Sequence, residues 1–283
     1  MLLFGNPTPE LLIAVVIALT IGMTIHEFAH NYVGYLAGDM YPERDGRLTL
    51  NPLVHIHWIG WLMFVLIGFG ILGSAPISAY RMRNPRWGYL AAVAAGPFSN
   101  LLVAVIFGLA WRVIGFAQAP RIIWLVVLIA ISASMAYSYF YRGLPWRKPQ
   151  RMRYRVNLSE PFSRHNLPLT GAIIAAILAV IVLLFGDSGF VAQTLFLATS
   201  MTVSMNVLLF IFNLIPLFPL DGWHIVLAAL PPEPATWWQR NQQNSQFLFM
   251  LLIIMSFLPL SIDPLGLIIG RPTFWITNLI LGV

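Results

Sequence analysis

LLIAVVIALTIGMTIHEFAHNYVGYL, residues Leu11 to Leu36, decides how this chain is read. The run is longer than the ~20 apolar residues a helix needs to cross the hydrocarbon core of a bilayer. Glu27 is its only acidic residue, and His26 and His30 flank it. Ionisable groups at membrane depth are expensive and mark a functional site by default. A helix puts positions i and i+4 on one face, about 6 Å apart along its axis. Two imidazoles placed that way reach a single cation, with the glutamate beside them.

The rest of the chain agrees with a membrane setting. Of its 283 residues, 59% are hydrophobic and only 9% are charged, against roughly 45–50% and about 25% in soluble domains. Apolar runs at 10–36, 87–111, 122–141, 167–186, 191–213 and 247–269 read as membrane-crossing helices. The first lacks a basic leader and carries the polar motif, so it does not read as a removable signal peptide. Between the first two runs, Trp58 to Gly73 is only 16 residues long and is broken by glycines. It reads as a re-entrant or short β element between the first two spans, with a short seventh span as the alternative. The expected fold is therefore an all-α polytopic membrane protein with about six transmembrane helices, in a single membrane-embedded domain spanning 1–283.

The net charge of +6 does not point to nucleic acid, because the basic residues fall in short segments between apolar runs. If 58–73 does not cross, segments 37–86, 142–166 and 214–246 share one side. That side holds 13 of the 16 Lys and Arg residues, all except Arg112, Arg121 and Arg271. The bias of basic residues toward cytoplasmic loops then puts both termini outside the cytoplasm. Segment 142–165 carries seven basic residues against Glu160 alone and reads as a cytoplasmic loop held by topology and anionic headgroups. Tryptophans such as Trp58, Trp61, Trp111, Trp124, Trp146 and Trp237 fall near run ends, as in an aromatic belt. The absence of cysteine excludes disulfides and thiolate ligands.

A hydrolytic zinc site usually takes three protein ligands and leaves one position for water. His26 and His30 supply two. Asp221 is the best-placed third, in Asn213-Leu-Ile-Pro-Leu-Phe-Pro-Leu-Asp221-Gly222 directly after an apolar run. Pro216 and Pro219 break regular helix there and free the chain to turn the acid back toward the bundle. Zn²⁺ with Asp221 and Glu27 ionised is formally neutral, as a low-dielectric site requires. A bound metal lowers the pKa of its water to about 7, and Glu27 is the residue placed to take its proton and pass it to a leaving amine.

These residues and their surroundings resemble the site-2 protease family of intramembrane zinc metalloproteases. Beyond HEFAH, the resemblance is carried by Gly46-Arg-Leu-Thr-Leu-Asn-Pro-Leu-Val-His55-Ile, by Ala95-Gly-Pro-Phe-Ser-Asn100, and by Phe212-Asn-Leu-Ile-Pro-Leu-Phe-Pro-Leu-Asp221-Gly222. It implies one Zn²⁺ per chain ligated by His26, His30 and Asp221, with Glu27 as catalytic base. Asn100 would line the site, holding substrate backbone or the oxyanion. It also implies a membrane-protein substrate cut near the cytoplasmic face of a bacterial or archaeal cell membrane. The chain departs from the pattern at His57-Trp58 and at Gly73-Ser-Ala-Pro76, and shows no PDZ or CBS-type module.

On this reading 1–113 carries the HExxH and GPxxN blocks, and 114–190 is an extra helical hairpin with the basic loop. The LDG block lies in 191–246, and 247–283 is a C-terminal helix and tail. Gly46 to Leu50 and Ser74 to Tyr80 alternate enough to be short strands onto which an unwound substrate could pair. His55 and His57 lie in the loop beside the site, and His224 stands three residues after Asp221 without being expected to ligate. Asn213 is expected to brace the proline-broken turn. Two other classes remain compatible with the motif: an inactive membrane scaffold, and a divalent-metal transporter. The latter usually shows midplane acids on several spans and repeat symmetry, neither of which is evident.

Overall fold

The computed structural model describes residues 7–55, 60, 75–114, 119–141, 167–258 and 263–283. Helix α1 (Pro9–Leu36) starts where Pro9 fixes the first turn and the Thr8 hydroxyl accepts from Leu11 N. It stops at Gly38, whose φ of +112° is a conformation other residues avoid. Two short turns of helix, α2 (Tyr41–Arg44) and α3 (Pro52–His55), precede a 3₁₀ turn at Ala79–Arg81. The long helices α4 (Pro85–Ile114), α5 (Ala119–Tyr141), α6 (Leu167–Phe185) and α7 (Gly189–Leu214) follow. Then come α8 (Asp221–Ala229), α9 (Pro232–Arg240) and α10 (Gln242–Phe257), a π turn at Gly266–Gly270, and α11 (Arg271–Leu281).

The protein is an all-α polytopic membrane protein. Among the described residues five helices are long and apolar enough to cross a membrane: Pro9–Leu36, Pro85–Ile114, Pro120–Tyr137, Pro168–Phe185 and Gly189–Leu214. The sixth expected span, 247–269, is not one helix. α10 ends at Phe257, and Leu258 turns extended at φ −83°, ψ 145°. The cause is local: Leu258 precedes Pro259, and a residue before proline is pushed out of the helical region. Among the described residues helix resumes after Asp263.

α1, α4 and α7 pack on one another and form the centre of the molecule, with α5 and α6 paired beside them. Small side chains at the contacts, Ala14, Ala18, Ala104 and Ala198, let the backbones approach closely. Trp111 and Trp124 belong to this core and not to a lipid-facing belt; Trp124 Nε1 donates to Leu195 O and Thr199 Oγ1. Ala14, Trp111 and Leu281 share one cluster, and Arg112 donates to Leu279 O. The start of α1 and the end of α11 thus lie at the same end of the bundle. The apolar faces of α6 that remain exposed, such as Ile173, Ile177 and Leu184, suit a lipid surround.

No strand occurs among the described residues. Gly46 to Leu50 is turn and bend, and 75–78 is irregular, with Ser78 in extended backbone before the 3₁₀ turn. A strand is defined by its ladder to a partner, and neither segment has one here. Trp58 to Gly73, apart from Gly60, and the basic loop at 142–166 lie outside the described residues.

Segment 75–82 is nevertheless tied to α1. Asp39, 0% exposed, accepts from Arg81 Nε at 2.6 Å and Arg81 Nη2 at 2.9 Å, and from the backbone N–H groups of Tyr41 and Ser78. Ile77 Cγ2 lies where it would be 2.9 Å from a Cβ on Gly34, one helical turn beyond His30. Burial alone raises the Asp39 carboxyl, but the Arg81 and backbone hydrogen bonds outweigh it and hold it below the usual carboxylate value. A depressed folded-state pKa stabilises the fold above the unfolded value of 3.8, and the contribution fades as pH falls below it. Asp39→Ala should cost about 1–3 kcal/mol, the range for losing hydrogen bonds to a buried charged group. Thermal unfolding in detergent at pH 7 checks this, and the difference from the unsubstituted chain should narrow as pH falls below 3.8.

Candidate metal centre

His26 and His30 leave the same face of α1 and meet one face of α4. On α4 that face is Ala92, Gly96 and Asn100, each one helical turn from the next. Ala92 O accepts from His30 Nδ1 at 2.8 Å, and Asn100 Oδ1 lies 2.7 Å from His26 Nδ1. Between them Gly96 offers bare backbone. A Cβ on Gly96 would sit 2.2 Å from His30 Nε2 and 2.9 Å from His26 Cε1. Pro97, the next residue, has no N–H to donate into the helix ladder.

Asp221 arrives from a different part of the chain. α7 ends at Leu214 because Ile215, preceding Pro216, goes extended, and 215–220 forms bends and turns. Phe218 N donates to Ser245 Oγ at 2.9 Å, bracing the turn from α10. α8 then starts at Asp221, against the end of α7: a Cβ on Gly222 would lie 2.5 Å from Leu214 O and 2.3 Å from Ile215 O. At its far end Arg86 of α4 donates to Ala228 O and Ala229 O, capping the last carbonyls. Asn213 turns its amide back to Leu209 O at 3.0 Å, a structural bond within α7.

The result is a triangle. His26 Nε2 and His30 Nε2 are 2.9 Å apart, and Asp221 Oδ2 lies 3.1 Å and 3.3 Å from them. Tetrahedral ligands about 2.0–2.1 Å from a zinc ion are about 3.3 Å apart, so the spacing suits one small cation. The chemistry agrees. Ala92 O can only accept, so His30 must donate from Nδ1, and His26 does the same toward Asn100 Oδ1. With Nδ1 donating, each imidazole leaves Nε2 as the atom turned toward the other ring and toward a carboxylate oxygen, where it can offer a lone pair to a metal. Two such nitrogens and a carboxylate oxygen at that distance form a donor set that a cation would fit. The donors His26, His30 and Asp221 are the one such group of three among the described residues.

Glu27 is 3% exposed beside this triangle, with Oε2 making no hydrogen bond. Asn100 is fully buried and stands behind His26. Its Nδ2 donates to Gly22 O at 3.0 Å and to Asn206 Oδ1 at 2.9 Å. Both amide protons are committed, and none remains for an oxyanion. His55 donates to Thr49 O and is not among the converging donors. His224 Nδ1 lies 3.2 Å from Tyr89 OH. Burial pushes the His224 imidazole below its usual value, with Asp221 opposing the shift. The sequence reading missed Arg86, Tyr89, Asn206 and Ser245. Of these only Asn206 carried a signal, as a carboxamide within an apolar helix.

Comparison with known proteins now places this geometry. Peptidase family M50 matches residues 14–257, and the chain belongs to that family, the site-2 proteases. It is 27% identical over 245 residues to "Putative zinc metalloprotease YwhC" of Bacillus subtilis (strain 168), covering 87% of this chain and 80% of that protein. It is 31% identical over 99 residues to "Putative zinc metalloprotease Rip2" of Mycolicibacterium smegmatis (strain ATCC 700084 / mc(2)155), covering 33% of this chain and 38% of that protein. No solved structure matches the chain significantly.

The cradle makes a direct prediction. Gly96→Ala should displace both imidazoles and weaken zinc binding by at least the 10–100-fold typical of changes around metal ligands. Competition with a chromogenic chelator on the purified full-length chain measures it.

Proposed function

We propose that this chain is a zinc-dependent intramembrane endopeptidase that cleaves transmembrane or membrane-proximal segments of other membrane proteins. One observation carries the proposal. Two imidazoles from an apolar helix converge with Asp221 from a separate helix, beside a buried glutamate whose Oε2 makes no hydrogen bond, in a member of a peptidase family.

His26, His30 and Asp221 would hold one Zn²⁺ per chain. When bound, zinc supplies a Lewis acid that polarises the scissile carbonyl and makes water acidic. Glu27 is the general base: its free Oε2 takes a proton from the attacking water and delivers it to the amine as the C–N bond breaks. Water adds to the carbonyl carbon, and the products are a carboxylate and an amine. Asn100, with both amide protons committed, acts through His26, holding it in the tautomer that leaves Nε2 free. Burial of the site between α1, α4 and α8 limits bulk water and strengthens each electrostatic contact.

Orientation follows from charge. The basic segments favour a metal end of α1 near the cytoplasmic face and both termini outside, and the family resemblance favours a bacterial or archaeal cell membrane. The shared cluster of Ala14, Trp111 and Leu281 supports this, since it puts the start of α1 and the end of α11 at the end of the bundle away from Asp39 and the loop it anchors. The domain is taken as a single unit, 1–283, in which 114–190 is an added hairpin.

Glu27→Gln should retain zinc while cleavage of a co-expressed membrane substrate falls at least 10²–10⁴-fold, the usual contribution of a general base. Continued cleavage would remove Glu27 from the mechanism. Orientation is tested separately with Gln150→Cys, because the chain has no other cysteine. Impermeant external reagents should leave it unlabelled in intact cells, and external labelling would reverse the assigned topology.

A further inference from the structure

Asn206 is a polar side chain the catalytic reading leaves unused. It lies within α7, between Met205 and Val207, and is 0% exposed. A carboxamide in an apolar setting must spend its hydrogen-bonding groups on something. Asn206 Nδ2 donates to Thr202 O at 2.8 Å, and Asn206 Oδ1 accepts from Asn100 Nδ2 at 2.9 Å. Asn100 Nδ2 also donates to Gly22 O at 3.0 Å, and Asn100 Oδ1 accepts from His26 Nδ1 at 2.7 Å.

The direction of this chain of bonds is fixed by two main-chain carbonyls. Thr202 O and Gly22 O only accept, so each carboxamide must turn its NH₂ toward them. Asn206 then presents oxygen to Asn100, and Asn100 presents oxygen to His26. The imidazole has to donate from Nδ1 and keeps its Nε2 lone pair for the ion. No flip of either amide preserves all four bonds.

We propose that Asn206 is a positioning residue of the metal centre, acting through Asn100 to orient His26. The inference rests on the reading of His26, His30 and Asp221 as metal ligands. A separate feature supports it. A Cβ on Gly22 would lie 2.9 Å from Leu209 Cδ1 and 3.2 Å from Asn206 Oδ1. Bare backbone at Gly22 is what lets α7 come near enough for its carboxamide to reach Asn100. α7 supplies no ligand, yet its packing against α1 decides which way an imidazole on α1 faces. A purely structural Asn206 would brace the helices, as polar side chains do in membranes, without acting through Asn100.

The test is a double-mutant cycle on the full-length chain in detergent, read by zinc affinity and by the visible spectrum of the cobalt-substituted protein. Asn206→Leu should weaken zinc binding about 10–100-fold and shift the cobalt bands. Asn100→Leu should weaken it at least as much, and the double variant no further than Asn100→Leu alone. Additive losses, or an Asn206→Leu protein with unchanged affinity and spectrum, overturn the proposal. Gly22→Ala perturbs the same carboxamide from α1 and replaces Asn206→Leu in the cycle if that variant does not fold. Its loss should likewise vanish in the Asn100→Leu background, and a loss that persists there overturns the proposal. An unsubstituted chain that binds no zinc overturns the metal reading and this role together. Zinc binding with an additive cycle overturns this role alone.

Discussion

Everything in this molecule answers to one constraint: two imidazoles and a carboxylate are buried in an apolar helix and have to be compensated there. An uncompensated charge at that depth costs several kcal/mol. The compensation comes from three directions. Asp221 faces the two Nε2 atoms from α8, completing a donor set for the cation that would balance it and Glu27. The Ala92 carbonyl and the Asn100 amide take the two Nδ1 protons from α4. Asn206 completes Asn100 from α7. Three of the helices that settle these groups, α1, α4 and α7, form the bundle's centre, and α8 adds Asp221.

Close backbone approach makes this arrangement feasible. Gly96 lets α4 reach the imidazoles, Gly22 admits the Asn206 carboxamide, and Gly222 seats the start of α8 on the end of α7. Each would meet an atom at 2.9 Å or less if it carried a Cβ. Without a strong hydrophobic drive between helices in lipid, tight packing of this kind has to hold them together. The glycines therefore serve association and chemistry with the same atoms.

Much of this was legible in the chain itself. HEFAH and the Asp221 block could be read because residue type and i, i+4 spacing state the chemistry directly, and because prolines mark where α7 must end. The long apolar runs fixed the class of fold. Contacts between helices could not be read this way. Asn100 resembled a substrate-facing residue until its two amide protons were found committed to Gly22 and Asn206. Trp111 and Trp124 looked interfacial because proximity to a run's end says nothing of which way a ring faces. The run at 247–269 looked continuous by composition, although Pro259 breaks its helix. Hydropathy measures the solvent a segment prefers, and says little of where its backbone bends.

The central claim is that His26, His30 and Asp221 form one metal centre across α1 and α8. Zinc-edge X-ray absorption on the purified full-length chain tests it most directly. The account predicts a single zinc per chain in a shell of nitrogen and oxygen only, at about 2.0–2.2 Å, with the scattering signature of two imidazoles. Absence of stoichiometric zinc, or a bound zinc whose shell lacks two imidazoles, would contradict it.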